Sequence, residues 1–157
     1  MHPHAVLITK FYEAFARLDA ETMAACYHPE VHFSDPAFPS LRGVHAGNMW
    51  RMLCEQATHF ELTFSDVSAD DQGGRAHWEP VYDFGPSKRR VHNIIDAEFS
   101  FRDGLIVRHV DTFDVWRWSK QALGTPGLLL GWSGFFGALV QKKAGGQLSR
   151  WESKNAG

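Results

Sequence analysis

Apolar and polar positions along this chain repeat at two different periods, and the change of period divides it. Val6, Leu7, Phe11, Phe15 and Leu18 fall on one stripe at roughly helical spacing, which predicts a first helix over Ala5 to Leu18. Asp19 stands where an N-cap belongs, and Thr22 to Tyr27 continue as a second short helix that Pro29 stops. Val31 to Ser34 reads as a short strand ending at Asp35-Pro36. AFPSLRG follows as a loop, and Val44 to Thr58 as a third helix with Met49, Met52, Leu53 and Ala57 inward. From Phe60 the period falls to two. Phe60–Ala69, Arg75–Phe84, Val91–Arg102 and Leu105–Trp118 alternate as strands, punctuated by DDQGG, GPSKRR and Asp103-Gly104. After Lys120 the pattern changes again, into a tail expected to form helices that cover the body.

Helix, helix, strand, helix and then a four-strand meander define an α+β fold. The expected architecture packs the helices on one face of a strongly curved sheet. Curvature closed by helices encloses an apolar cavity, the usual setting for a small-molecule site. The expected division is a domain over 1–120 and an extension over 121–157 that packs on the same domain or on a dimer partner.

The chain has 157 residues and a net charge of −2, which gives no electrostatic case for nucleic acid or an anionic membrane. Cys26 and Cys54 lie in helical patterns and read as reduced core residues. MHPHAVLITKFYEAF does not read as a signal peptide, so a cytoplasmic location is the expectation. GLLLGWSGFFGALV, Gly127 to Val140, is very apolar, but its fourteen residues fall short of the roughly 20 that span a bilayer. A buried tail or a subunit contact is the expectation there. No cofactor fingerprint, phosphate loop, nucleophile motif or HExxH appears, so neither a cofactor nor a metal is expected.

Three stretches carry a resemblance: FYEAFARLDAETMAACYHPEVHFSDP, the LRG before the third helix, and FSFRDGLIVRHVDTFD. Together they resemble the nuclear-transport-factor-2-like superfamily, in particular SnoaL-like polyketide cyclases and ketosteroid isomerases, over about Leu7 to Trp118. The resemblance implies a cone-shaped fold, a mixed or antiparallel sheet wrapped around the N-terminal helices, and a general base at Asp35, at the end of the first strand. It implies a second acidic group at Asp96, eight residues before Gly104. The position of the oxyanion-hole tyrosine falls on Phe11. Tyr12 is adjacent but about 100° away around the helix. In SnoaL-like cyclases the acid/base is an aspartate with a histidine nearby, which implies Asp111 and His109 in RHVDTFD.

Alternation alone turns Asp96 and His92 toward solvent; the resemblance turns them inward. A two-residue loop at Asp103-Gly104 pairs residues whose numbers sum to 207, so Asp96 faces Asp111. Two carboxylates that close on an inner face share a proton. Phe11, Phe15, Trp50, Trp78, Tyr82, His92 and Phe113 are the candidate pocket lining, suited to a small hydrophobic or polycyclic ligand. Trp116 and Trp118 share the strand face opposite Phe113, where a dimer contact is expected. The reading is a cofactor-independent enzyme of isomerase or cyclase type that abstracts a proton next to a carbonyl and works as a homodimer. The alternatives are a hydrolase resembling the limonene-epoxide type and a non-catalytic binder of a hydrophobic ligand.

Overall fold

The computed structural model describes residues 1–156. In chain order the elements are α1 (Pro3–Ala16), α2 (Ala20–Ala25), β1 (Tyr27–Ser34), β2 (Leu41–Arg42), α3 (Val44–Gln56), β3 (Glu61–Ala69), β4 (Gly74–Phe84), β5 (Arg89–His92), β6 (Ile95–Arg102), β7 (Leu105–Thr112), α4 (Val115–Leu123), α5 (Thr125–Leu130) and α6 (Gly134–Asn155). The strands form one unclosed mixed sheet in the order β2-β1-β7-β6-β4-β3, with β5 pairing the far half of β4. Only β1 and β7 run parallel; the other pairs are antiparallel. The fold is therefore the expected α+β cone, with the N-terminal helices against the curved sheet.

α1 is buried on more than one side. Tyr12 packs toward the sheet against Phe64 of β3, Trp78 of β4 and Phe99 of β6. Phe11 packs the other way, against Tyr27, Trp50 and His109. Enclosure of the helix corrects the predicted stripe: Ala5, Ile8, Phe11, Tyr12 and Phe15 are buried, whereas Val6 is exposed. Asp19 caps α2 as its position implies, its side chain accepting from the Thr22 amide.

Several boundaries differ from the pattern: α2 ends at Ala25, β1 already begins at Tyr27 and runs through Pro29, and Leu41–Arg42 pair with β1 as β2 within the expected loop. Val91–Arg102 is broken at Asn93-Ile94, so β5 and β6 pair with successive halves of β4, across Pro80. Proline has no amide to donate to the ladder, and the Pro80 carbonyl instead accepts from the Asn93 amide. The last strand stops at Thr112. Asp114 caps α4 by accepting from the Arg117 amide, and this places Trp116 and Trp118 on a helix, not on a strand face.

α4, α5 and α6 follow the sheet. Phe136 and Leu148 of α6 are buried. The same helix is tied to the body where Trp151 donates to Glu55, and where Glu152 accepts from Asn48 and meets His45. Cys26 and Cys54 are buried and unpaired. Among the described residues no helix is long and apolar enough to cross a membrane.

Candidate active site

The interior of the cone holds a continuous polar chain in an aromatic setting. Trp50 Nε1 donates to Tyr27 Oη at 2.8 Å, and Tyr27 Oη lies 2.8 Å from His109 Nδ1. His109 Nε2 lies 2.9 Å from Asp111 Oδ1, which also accepts from Trp78 Nε1 at 3.3 Å. One proton arrangement satisfies every group: a neutral His109 with hydrogen on Nε2 donates to the Asp111 carboxylate, and Nδ1 accepts from Tyr27. His109 and Asp111 are almost fully buried, and their partners are what make that burial tolerable. Burial holds the Tyr27 hydroxyl well above the usual phenol range, so it stays a donor.

Sequence local to β7 explains why both side chains face inward. The Asp103-Gly104 turn starts β7 with Leu105 opposite Arg102 and Ile106 opposite Phe101. A bulge then shifts the register by one, so that Phe99 pairs with His109 and Ala97 with Asp111. Because side chains on a strand have a period of two, this decides which carboxylate enters the interior. Ile95, Ala97 and Phe99 point in, and Asp96 points out opposite Thr112.

The expected Asp96–Asp111 pair is therefore absent. Asp96 has 78% of its side chain exposed and contacts His77 Nδ1 at 2.8 Å. His92, also expected in the pocket, is on the outer surface too, 2.7 Å from Glu79, which in turn meets His77 at 2.7 Å. Hydrogen bonds to Asp96 and Glu79 raise the His77 pKa. Exposed pairs of this kind contribute about 0–1 kcal/mol. Asp96→Ala is expected to change unfolding free energy by less than about 0.5 kcal/mol in urea titration, and to leave any activity of the interior site intact.

Asp35 lies at the end of β1, where Pro36 turns the chain. Its Oδ1 accepts from the amides of Ala37 at 2.7 Å and Phe38 at 2.6 Å, which is the turn role that an Asp-Pro pair favours. Its second carboxyl oxygen has no protein partner among the described residues. Burial raises the carboxyl from 3.8 to about 7; the nearby Asp111 charge adds to the rise, and the Phe38 and Ala37 amides oppose it. Asp35 and Asp111, rather than Asp96 and Asp111, are the electrostatically coupled carboxyls.

This shift has a thermodynamic consequence with a definite sign. A carboxyl whose pKa is higher folded than unfolded contributes its full stability below about pH 4 and loses it as pH rises toward about 7. Asp35→Asn removes that loss while its Oδ1 can still accept the two amides. The variant is expected to be more stable than the parent at pH 8, by on the order of 2 kcal/mol or roughly 4–8 °C in Tm, and to show little difference at pH 4. Thermal denaturation at the two pH values checks this.

The hollow beneath the helices is occupied by side chains. Phe11, Phe15, Trp50 and Trp78 are core residues, with ring centroids 5.0 Å apart for Phe15–Trp50 and 6.2 Å for Trp50–Trp78. Phe113 lines a cavity of about 20 Å³ beside Asp35, with Pro36, Ala37, Val115, Trp118 and Val140. That volume admits about one water, far below the 300–1,000 Å³ of a typical ligand pocket. α4 and α6 roof it, and Gln141 of α6 bonds the Pro36 carbonyl. Tyr82 is near the same mouth: its Oη accepts from Trp118 Nε1 at 2.9 Å, and the Asp35 charge helps raise its pKa.

Tyr12, Tyr27 and Trp118 are the residues that sequence reasoning missed. Tyr12 is fully buried, its hydroxyl has no partner among the described residues, and burial with the neighbouring Asp111 charge raises its pKa well above the ordinary value. A signal was present. The chain has only three tyrosines, each in a hydrophobic segment, and a buried phenol demands a partner for its hydroxyl.

Comparison with known proteins agrees with this architecture. The SnoaL-like domain pattern matches residues 8–109, and the chain belongs to that family. Its fold is also similar to an M. tuberculosis epoxide hydrolase of the LEH-like type, at TM-score 0.65 and 23% identity over 81% of this chain and 92% of that one. A protein from Xanthomonas campestris provisionally assigned as a polyketide cyclase matches at TM-score 0.62 and 21% identity, over 76% and 96% of the two chains. A ketosteroid isomerase-like fold from Catenulispora acidiphila, solved with trimethylamine, matches at TM-score 0.65 and 8% identity, over 74% and 91%. At these identities the likeness is one of fold. Among curated proteins, none matches the sequence.

Proposed function

We propose that this chain is a cofactor-independent acid–base enzyme that abstracts a proton next to the carbonyl of a small hydrophobic compound, as an isomerase or cyclase. The observation that carries the reading is the Asp35 carboxyl, with one oxygen held by the Ala37 and Phe38 amides and the other without a protein partner among the described residues, where burial raises its pKa to about 7. A base tuned to the working pH is both available and strong enough to act. One Asp35 oxygen is fixed by two amides, which leaves the other to take the proton. Tyr82 is the donor for the developing enolate oxygen: it feels the Asp35 charge, its Oη accepts from Trp118, and its own proton has no acceptor among the described residues. Asp111, held by His109 and Trp78, keeps Asp35 basic and does not itself touch the ligand. A ligand larger than water requires α6 to move from the Asp35-Pro36 loop, since Val140 and Gln141 close it.

A hydrolase of the epoxide type would use paired carboxyls as well, but it needs a cation beside them. Arg108 is exposed on the outer face, and no basic residue perturbs Asp35. The test is hydrogen–deuterium exchange at the α-carbon of a panel of hydrophobic ketones in D2O, followed by NMR, with terpenoid epoxides run in parallel. Catalysed exchange lost in Asp35→Asn supports the proposal. Diol formation from an epoxide favours the hydrolase. Thermal stabilisation by a ligand with neither reaction favours a binder.

A further inference from the structure

The net charge of −2 conceals a strong asymmetry. Residues 1–114 carry ten Lys or Arg against seventeen Asp or Glu, a net −7; residues 115–157 carry six against one, a net +5. From Val115 to Trp151 there is no carboxylate at all. The same stretch holds the largest exposed apolar side chains of the molecule outside the N-terminal Met1. Leu128, Leu129, Leu130, Trp132, Phe135 and Leu139 are all solvent-facing, Trp132 at 70% and Phe135 at 77%.

Helical spacing explains how α6 presents this face. Phe136, Val140, Ala144 and Leu148 form its inward stripe, partly or fully buried. Phe135, Leu139, Lys142 and Lys143 form its outward stripe, at steps of three and four. Leu139 and Lys143 are about 6 Å apart along the axis. Lys142 and Lys143 make no ion pair among the described residues. At the other end of the patch, Lys120 sits 4.4 Å over the Trp116 ring, and Trp116 donates to the Leu128 carbonyl. Cations therefore flank the apolar residues on both sides.

We infer that the α5–α6 corner is a docking surface for an anionic lipid membrane, with the leucines, Trp132 and Phe135 entering the headgroup region and Lys120, Lys142 and Lys143 meeting lipid phosphates. An interfacial segment of this kind inserts its apolar face about 5–10 Å, while neighbouring lysines stay at the level of the headgroup phosphates. Self-association fits less well. An isologous dimer through this patch would bring two sets of lysines together with no carboxylate in Val115 to Trp151 to offset them. The inference is independent of the acid–base reading, because none of these residues touches Asp35.

Co-sedimentation of the full chain with sucrose-loaded vesicles tests it. Binding is expected to vesicles of phosphatidylcholine with 30% phosphatidylglycerol (about that fraction suffices for a strong surface potential) and to fall steeply in high salt. Lys142→Glu/Lys143→Glu is expected to reduce partitioning onto those vesicles by more than about tenfold, and Phe135→Glu/Leu139→Glu to abolish it. Leu129→Glu, on a separate helix, gives the same reading if the α6 double variant misfolds by circular dichroism. Equal binding to pure phosphatidylcholine, binding indifferent to these substitutions, or no binding by a chain that self-associates through the patch in light scattering would each overturn the inference.

Discussion

Asp35→Asn is expected to slow α-proton exchange of a responsive ketone by about 10²–10⁴-fold. The substitution is nearly isosteric, and asparagine Oδ1 can accept from Ala37 and Phe38 as the aspartate does. The turn therefore persists, and what disappears is the free carboxyl oxygen. For the parent, the rate should rise as the carboxyl ionises, through a midpoint near 7, and level off above it. The variant's residual rate should show no such step. Loss of activity together with a gain of stability at pH 8 is the signature of a residue kept for chemistry and not for folding. A variant with exchange within a few-fold of the parent would remove Asp35 from the base role, since no other change in the site accompanies the substitution.

His109→Ala is expected to destabilise the protein by about 3–5 kcal/mol, which corresponds to a fall in Tm of roughly 10 °C or more. The imidazole links Tyr27 to Asp111 at the centre of the core, with no solvent exposure. Its removal leaves a cavity among Phe11, Phe33, Trp50 and Phe99 and strips Asp111 of one of its two donors. A buried carboxylate held only by the 3.3 Å Trp78 contact is poorly compensated. Adding Asp111→Ala to His109→Ala should then cost less than Asp111→Ala alone, because the charge that lost its partner is gone. Urea titration of the two single variants and the double variant measures that coupling. A His109→Ala penalty below about 1 kcal/mol would mean that the Trp50–Tyr27–His109–Asp111 chain does not hold the core.

The architecture was legible because it rests on period. Alternation from Phe60 onward, the Asp103-Gly104 turn and the helical stripes yield an α+β fold with helices on a curved sheet, the resemblance adds the cone, and alternation alone already put Asp96 in water. What turned Asp96 inward was a residue count carried over from a resembling family. A count along one strand cannot see a bulge on its neighbour. The β7 bulge moves the register between Ser100 and Phe101, so the inner carboxyl opposite Ala97 comes from β7. His109 and Asp111 were found because RHVDTFD resembles the acid/base segment of SnoaL-like cyclases and alternation puts the two on one face; the bulge leaves that shared face unchanged. Tyr12 was set aside on the assumption that only one face of α1 is buried, which fails for a helix enclosed by a curved sheet. The break at Asn93-Ile94 and the capped start of α4 depend on a proline's missing amide and on a single aspartate, signals easily read as strand continuation. The packed interior was not visible at all, because a list of aromatic residues does not say whether they line a space or fill it.

The base role of Asp35 is tested by its own titration, followed by ¹³C NMR of the side-chain carboxyl in protein labelled at aspartate, with Asp35→Asn used to assign the signal. The expected midpoint is near 7, with a lower one in Asp111→Asn, where the neighbouring charge is removed but burial remains. A midpoint near 4 in the parent would contradict that role, because an ordinary carboxylate at the mouth of the cone would be neither desolvated nor coupled to the buried Asp111.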